Sequence, residues 1–223
     1  MNPCDFLDLE TIRANTKRST VEQKTISEIL DSINSMKFLD LRDRSMFEMM
    51  YGIGLRVGEI VKLAVTDVDM REGKIFIRQA KGRKDRIVPI GKNALSLLKK
   101  YIEYGRNYLE KITDREILFL SGKGKRITVN DVAKALKKRA KTLYPDLRIY
   151  PHMLRHSFAT HMLEAGAGIK HIKDILGHNS IETTVIYTHF NSQSLKKILK
   201  MFHPRENELY EEFPTEKYIR FER

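Results

Sequence analysis

The sequence predicts a mainly α protein with a small antiparallel β-sheet, an α+β arrangement in which helices dominate. Two observations carry this. Apolar residues recur at helical spacing along most of the chain, whereas "GKIFIRQ" and "DRIVPIG" are short alternating or β-branched runs flanking the basic loop "AKGRK", a hairpin signal. At 223 residues the chain can bury one substantial core, or form a domain with a small appendage.

The elements follow in order. "VEQKTISEILDSINSM" spaces Val21, Ile26, Ile29, Leu30 and Ile33 for one helical face, with Ser19 or Thr20 as its cap. "LDLRDRSMFEMMYGIGLRVGEIVKLAV" reads as a helix, a glycine-bearing turn and a second short helix. After the hairpin, "NALSLLKKYIEYGRNYL" and "VNDVAKALKKRAKTL" are amphipathic helices. "YPHMLRHSFATHMLEAG" begins with Pro151, suited to a first helical turn, and ends at Gly166. "GIKHIKDILGH" is another short helix. Asn179 or Ser180 could cap the next segment, with Glu182 three residues after Asn179, but its "TTVIY" core leaves helix or strand open. "SLKKILKMF" is a final amphipathic helix before an acidic tail.

The formal net charge is +12, and the tail at 206–223 hides a larger excess, because residues 1–205 alone carry +15. A body that basic favours a polyanion, of which phosphate backbones are the commonest. No apolar run is long enough to span a bilayer, and "MNPCDFLDLETIR" has no apolar signal core. The single cysteine, Cys4, excludes an internal disulfide framework and suits a reducing compartment. A cytoplasmic location is expected.

Simpler motifs do not account for the chain. "GIGLRVG" places its third glycine one position late for a dinucleotide fingerprint and follows no strand, so it reads as a turn between helices. "SGKGKR" lacks P-loop spacing. His152 and His156 stand four apart on a predicted helix, but Arg155 sits between them and no carboxylate ligand is near, which disfavours zinc. Taken singly, Arg56 in "GLRVGEI", Lys81 in "AKGRK", His152 and Arg155 in "HMLRH", His178 in "LGH" and Tyr187 in "IYTH" each have an ordinary surface, cap or core explanation.

Taken together in that order, they resemble the tyrosine recombinases of the phage-integrase family, and its Xer-type members most closely. The resemblance runs from about Thr20 to Phe190 and includes the framing stretches "LRDRSMFEMMYGIGLRVGEIVKL", "KGRKDRIVPIG" and "HMLRHSFATHMLEAGAGIKHIKDILGHNSIETTVIYTH". It implies a catalytic domain over residues 20–190, after a short segment at 1–19 and before a C-terminal helix and acidic tail at 191–223. It also implies site-specific recombination of double-stranded DNA, with Tyr187 forming a 3′-phosphotyrosine link and releasing a 5′-hydroxyl. The ester keeps the bond energy, so neither ATP nor a metal is required, and no cofactor is expected. Type IB topoisomerase-like relaxation uses the same chemistry without partner exchange. A DNA-binding regulator that keeps the fold without activity is the non-enzyme alternative.

The chemistry of such a site is consistent with these residue types. A phenol with a pKa near 10 needs help to attack phosphorus. Arg56 and Arg155 would clamp the charge gathering on the non-bridging oxygens, since each guanidinium can give two parallel hydrogen bonds. His152, three residues before Arg155, would accept or relay the tyrosine proton. His178 would donate a further bond to the phosphate, and Lys81 would protonate the departing 5′ oxygen. Glu59, one turn after Arg56, would orient that guanidinium, or be a surface pair of small value.

Most members of the family carry a separate core-binding domain ahead of the catalytic one, and the roughly 40 residues before the Arg56 helices are too few for it. Phosphate contacts would then be the main source of affinity. The resemblance further implies a homo-oligomer, a tetramer on DNA, joined through the C-terminal helix. "SLKKILKMF" could equally pack on its own core.

Overall fold

The computed structural model describes residues 20–34, 36–78, 85–107, 115–177 and 189–206, with side chains described outside 189–193. Its elements are α1 (Gln23–Asp31), α2 (Phe38–Gly52), α3 (Val57–Ile60), β1 (Val68–Asp69), β2 (Lys74–Ile77), β3 (Arg86–Pro89), α4 (Lys92–Lys100), α5 (Val129–Leu143), α6 (Pro151–Glu164), α7 (Ile169–Leu176) and α8 (His189–Phe202). The strands form one antiparallel sheet in the order β1-β2-β3, with Ile75 opposite Val88 and Ile77 opposite Arg86. Among the described residues the expected helices and the two paired strands of the hairpin are present, while the basic loop "AKGRK" and the segment that Asn179 or Ser180 would cap lie outside them.

α2 is the hub. Its residues Leu41 to Tyr51 are all buried, and α1, α3, α4, α5 and α6 pack against it. A helix buried all round must neutralise its charges locally, because an isolated buried ion is prohibitively costly. Arg42 donates to Asp43 and to the Leu120 carbonyl, and Arg139 of α5 reaches Asp40 and Asp43. Arg44 pairs with Asp31 of α1 at 2.7 Å.

Local chemistry explains most element ends. Thr128 caps α5, exchanging bonds with Asp131 in a reciprocal box. Pro151 opens α6, where a missing N–H costs nothing. The cap of α1 differs from expectation: helical geometry starts after Glu22, with no side-chain cap bond. Val21 instead donates its N–H to Ser157 Oγ at 2.9 Å and buries its side chain, tying the entry of α1 to α6. The five apolar residues expected on one face of this segment, from Val21 to Ile33, are all buried.

The C-terminal helix α8 packs on the chain's own core. Leu195 and Leu199 are each 1% exposed, and α8 lies against β3 and α7. The residues that follow it, through Glu206, are equally committed. Arg205 is fully buried and its guanidinium bonds to Glu48 of α2 and Asp31 of α1. Glu206 accepts the Lys92 N–H at 2.9 Å, satisfying an orphan donor at the start of α4.

Candidate active site

The site is built where the turn after α2, the start of α3, strand β3, helix α6 and the end of α7 converge. Gly54 makes the approach possible. It lies at φ +65°, and a Cβ there would fall 2.5 Å from Leu176 Cδ2 and 2.7 Å from Phe158 Cδ1. Only glycine suits both the left-handed backbone and the contact. The glycine-rich stretch is therefore a helix–helix turn, as its spacing predicts.

Arg56 stands at the position preceding α3 with extended backbone. Glu59, one turn on, accepts the Arg56 N–H at 2.9 Å on Oε2 and the Arg56 guanidinium at 3.2 Å on Oε1. This is more than the isolated surface pair that spacing alone allowed. Arg86 also donates two parallel bonds to the same carboxylate, Nη1 to Oε1 at 2.8 Å and Nη2 to Oε2 at 3.0 Å. Burial works to raise the Glu59 carboxyl. The Arg86 hydrogen bonds and charge, the Arg56 N–H and the Arg155 charge outweigh it, so the group sits below the usual carboxylate range.

Arg155, buried in α6, donates Nη2 to the Leu176 carbonyl at 2.9 Å and Nη1 to the Gly54 carbonyl. It thus grips the turn that precedes Arg56 and the end of the helix that precedes His178. His152, one turn before Arg155, is exposed at the site mouth. Partial burial, then the charges of Arg155 and Arg56, hold its imidazole below the ordinary histidine range. Both arginines are therefore electrostatic neighbours of one imidazole. His156 lines the cleft between α6 and α7 with Thr160, Leu163 and Ile172, a cleft that His152 does not line.

Of the predicted site residues, Arg56, Glu59, His152 and Arg155 are brought together. Lys81, His178 and Tyr187 lie outside the described residues. β2 and β3 are the two arms of the hairpin that carries Lys81, and α7 ends at Leu176, two residues before His178. Arg86 was missed by sequence reasoning. Its signal was present: in β3 it falls in phase with Val88 and Ile90, on the core side, and all three are buried. A charged residue in a core phase demands a buried partner.

Three guanidiniums around one carboxylate leave a net positive cluster, with an imidazole beside it that is uncharged at neutral pH. Such a cluster suits a phosphodiester, with the imidazole as proton acceptor. The helices and the three-stranded sheet make up a catalytic-domain fold of the integrase type. Residues 19–194 match the phage integrase family, and the chain belongs to that family.

Among its relatives, the tyrosine recombinase XerD of Listeria innocua is 42% identical over 182 residues, covering 81% of this chain and 61% of that protein. The tyrosine recombinase XerC of Halalkalibacterium halodurans is 39% identical over 191 residues, covering 84% and 63%. The chain thus spans a little over three fifths of the length of these curated relatives. Among solved structures, the XerA recombinase superimposes with a TM-score of 0.65 at 32% identity, over 83% of this chain and 65% of that one. The XerH site-specific recombinase, in a post-cleavage complex with a palindromic difH substrate, gives 0.60 at 27% identity, over 82% and 53%.

Proposed function

We propose that the chain is the catalytic part of a site-specific DNA recombinase, cutting and rejoining strands through a 3′-phosphotyrosine intermediate on Tyr187. The observation that carries this is the clustering of Arg56 and Arg155 around His152, with Glu59 bonded to Arg56 in the same cluster. As the Tyr187 oxygen attacks, charge collects on the non-bridging oxygens, and the two arginines stabilise it by charge-assisted hydrogen bonds. His152, uncharged at neutral pH, accepts the phenolic proton. His178 donates to the phosphate, and Lys81 protonates the 5′ oxygen as it leaves. A second strand's hydroxyl reverses the step, so no external energy source enters. The likeness to the XerD, XerC and XerH recombinases supports this reading.

The test is a duplex nicked beside the cleavage position, so that a short leaving strand diffuses away and traps the covalent state. Wild type is expected to give a protein–DNA band on a denaturing gel and Tyr187→Phe none. Arg56→Ala and Arg155→Ala should slow it by about 100- to 1,000-fold, the scale of losing a charge-stabilising donor. A wild-type band of equal strength from Tyr187→Phe would refute the assignment. We also propose a tetramer on DNA. Leu195 and Leu199 are seated in the chain's own core, so a contact between copies through α8 would use its outward residues, such as Met201, which is 65% exposed. Light scattering of the trapped complex should give four copies, and a monomeric mass would count against it.

A further inference from the structure

We infer that Arg86 is a positioning residue for the strand-transfer reaction, locking the Arg56 side of the phosphate clamp to the end of α7. This rests on the function proposed above and adds to it a residue with no assigned part. Arg86 is 3% exposed, too buried to meet a DNA phosphate directly. Its guanidinium makes the fork to Glu59 at 2.8 and 3.0 Å, and Glu59 in turn holds both the backbone and the guanidinium of Arg56. Its Nε donates to the Ile175 carbonyl at 3.3 Å, next to the Leu176 carbonyl that Arg155 takes.

Consecutive carbonyls at the C-terminal end of α7 are therefore held by two arginines, one from each side. These carbonyls have no helical partner and carry the negative end of the helix dipole, so cationic donors are the fitting cap. Gly177 closes the helix in the left-handed region at φ +68°, and a Cβ there would lie 2.6 Å from Arg86 Cδ and 2.8 Å from Nε. The backbone leading into His178 thus rests directly on the Arg86 side chain. Arg86 also belongs to the return strand of the hairpin that carries Lys81. One buried side chain joins the segments bearing Arg56, Lys81 and His178, and it packs where Arg155 also bonds.

Charge chemistry separates positioning from mere support. A methylphosphonate at the scissile position replaces one charged oxygen with a methyl group, so the reacting centre needs less of the clamp. Cleavage rates on the ordinary and the methylphosphonate duplex are to be compared for wild type, Arg86→Met and Arg86→Lys, with thermal melting of each. Arg86→Lys keeps a cation opposite Glu59 and hence the fold, but loses the fork. Both variants should cleave the phosphodiester about 100-fold more slowly than wild type, yet lag by less than about tenfold on methylphosphonate. DNA affinity should stay unchanged. An equal deficit on both substrates, or wild-type rates on the phosphodiester, would overturn the role of Arg86. Absence of any covalent product from wild type would instead defeat the proposed chemistry.

Discussion

Burial, then the positive charges of Arg155 and Arg56, keep the His152 imidazole below its ordinary range, so the uncharged form faces the site at neutral pH. As the proposed acceptor of the Tyr187 proton, it works only while unprotonated. The rate of covalent-complex formation should therefore rise with pH and level off, with its midpoint below the value of about 6.5 for a free imidazole. Replacing Arg56 with Gln removes one of the depressing charges, so the midpoint should move up toward that value while the plateau falls. A single-turnover pH series on both proteins measures this, and an acid limb at or above 6.5 in wild type would contradict it. Glu59 belongs to the same balance. Its depressed carboxyl stays charged across that range, so the tether on Arg56 persists while His152 titrates.

At the scale of elements, the turn between α2 and α3 decides where Arg56 stands. Gly54→Ala would strain a left-handed backbone by about 1–2 kcal/mol and push on Phe158 and Leu176, adding about 1–3 kcal/mol of overpacking. The expected outcome is a lower denaturant midpoint together with slower cleavage, because relief comes only by moving the turn away from α6. Unchanged stability would show that this contact is slack. Most elements were legible because their causes are local. Apolar spacing marks α1 and α5, Thr128 and Asp131 mark a cap, and Pro151 marks a start. What failed was non-local. The α1 entry is set by Ser157, 136 residues from Val21, rather than by a nearby cap. Arg86 finds Glu59 across 27 residues, and only strand phase hinted that it was inside. Charges in "LRDRSMFE" look solvated in sequence, yet their partners on α1, α5 and the end of the chain take them into the core.

For the molecule as a whole, the segment that follows α8, His203 to Glu206, is a structural part of the α2 hub. His203 is 1% exposed, donates Nε2–H to the Tyr51 carbonyl at 3.2 Å and accepts the Arg205 N–H on Nδ1 at 3.3 Å. Both nitrogens are used in the neutral form. Tyr51 and Phe158 rings flank the imidazole, Tyr51 also bonds His161, and the Arg205 guanidinium is held by Glu48 and Asp31. Burial is the main reason that the His203 pKa drops to about 3, with the Arg205 and His161 charges adding to it and the Tyr51 bond opposing it. In the unfolded chain the same ring titrates near 6.5. Below that pH the unfolded state binds a proton that the folded state refuses. The stability from neutral His203 is therefore complete above about 6.5 and is lost as pH falls toward about 3. The slope from this one residue is about 1.4 kcal/mol per pH unit. Chemical denaturation of wild type and His203→Gln at a series of pH values isolates it from the carboxylates, which both proteins share. Between pH 6.5 and 4.5 the stability difference between them should shift against wild type by about 2 kcal/mol, since the full slope is reached only once the unfolded ring is mostly protonated. A difference that stays flat would mean that His203 meets water in the folded state, and that α8 and the residues after it are not anchored in the hub.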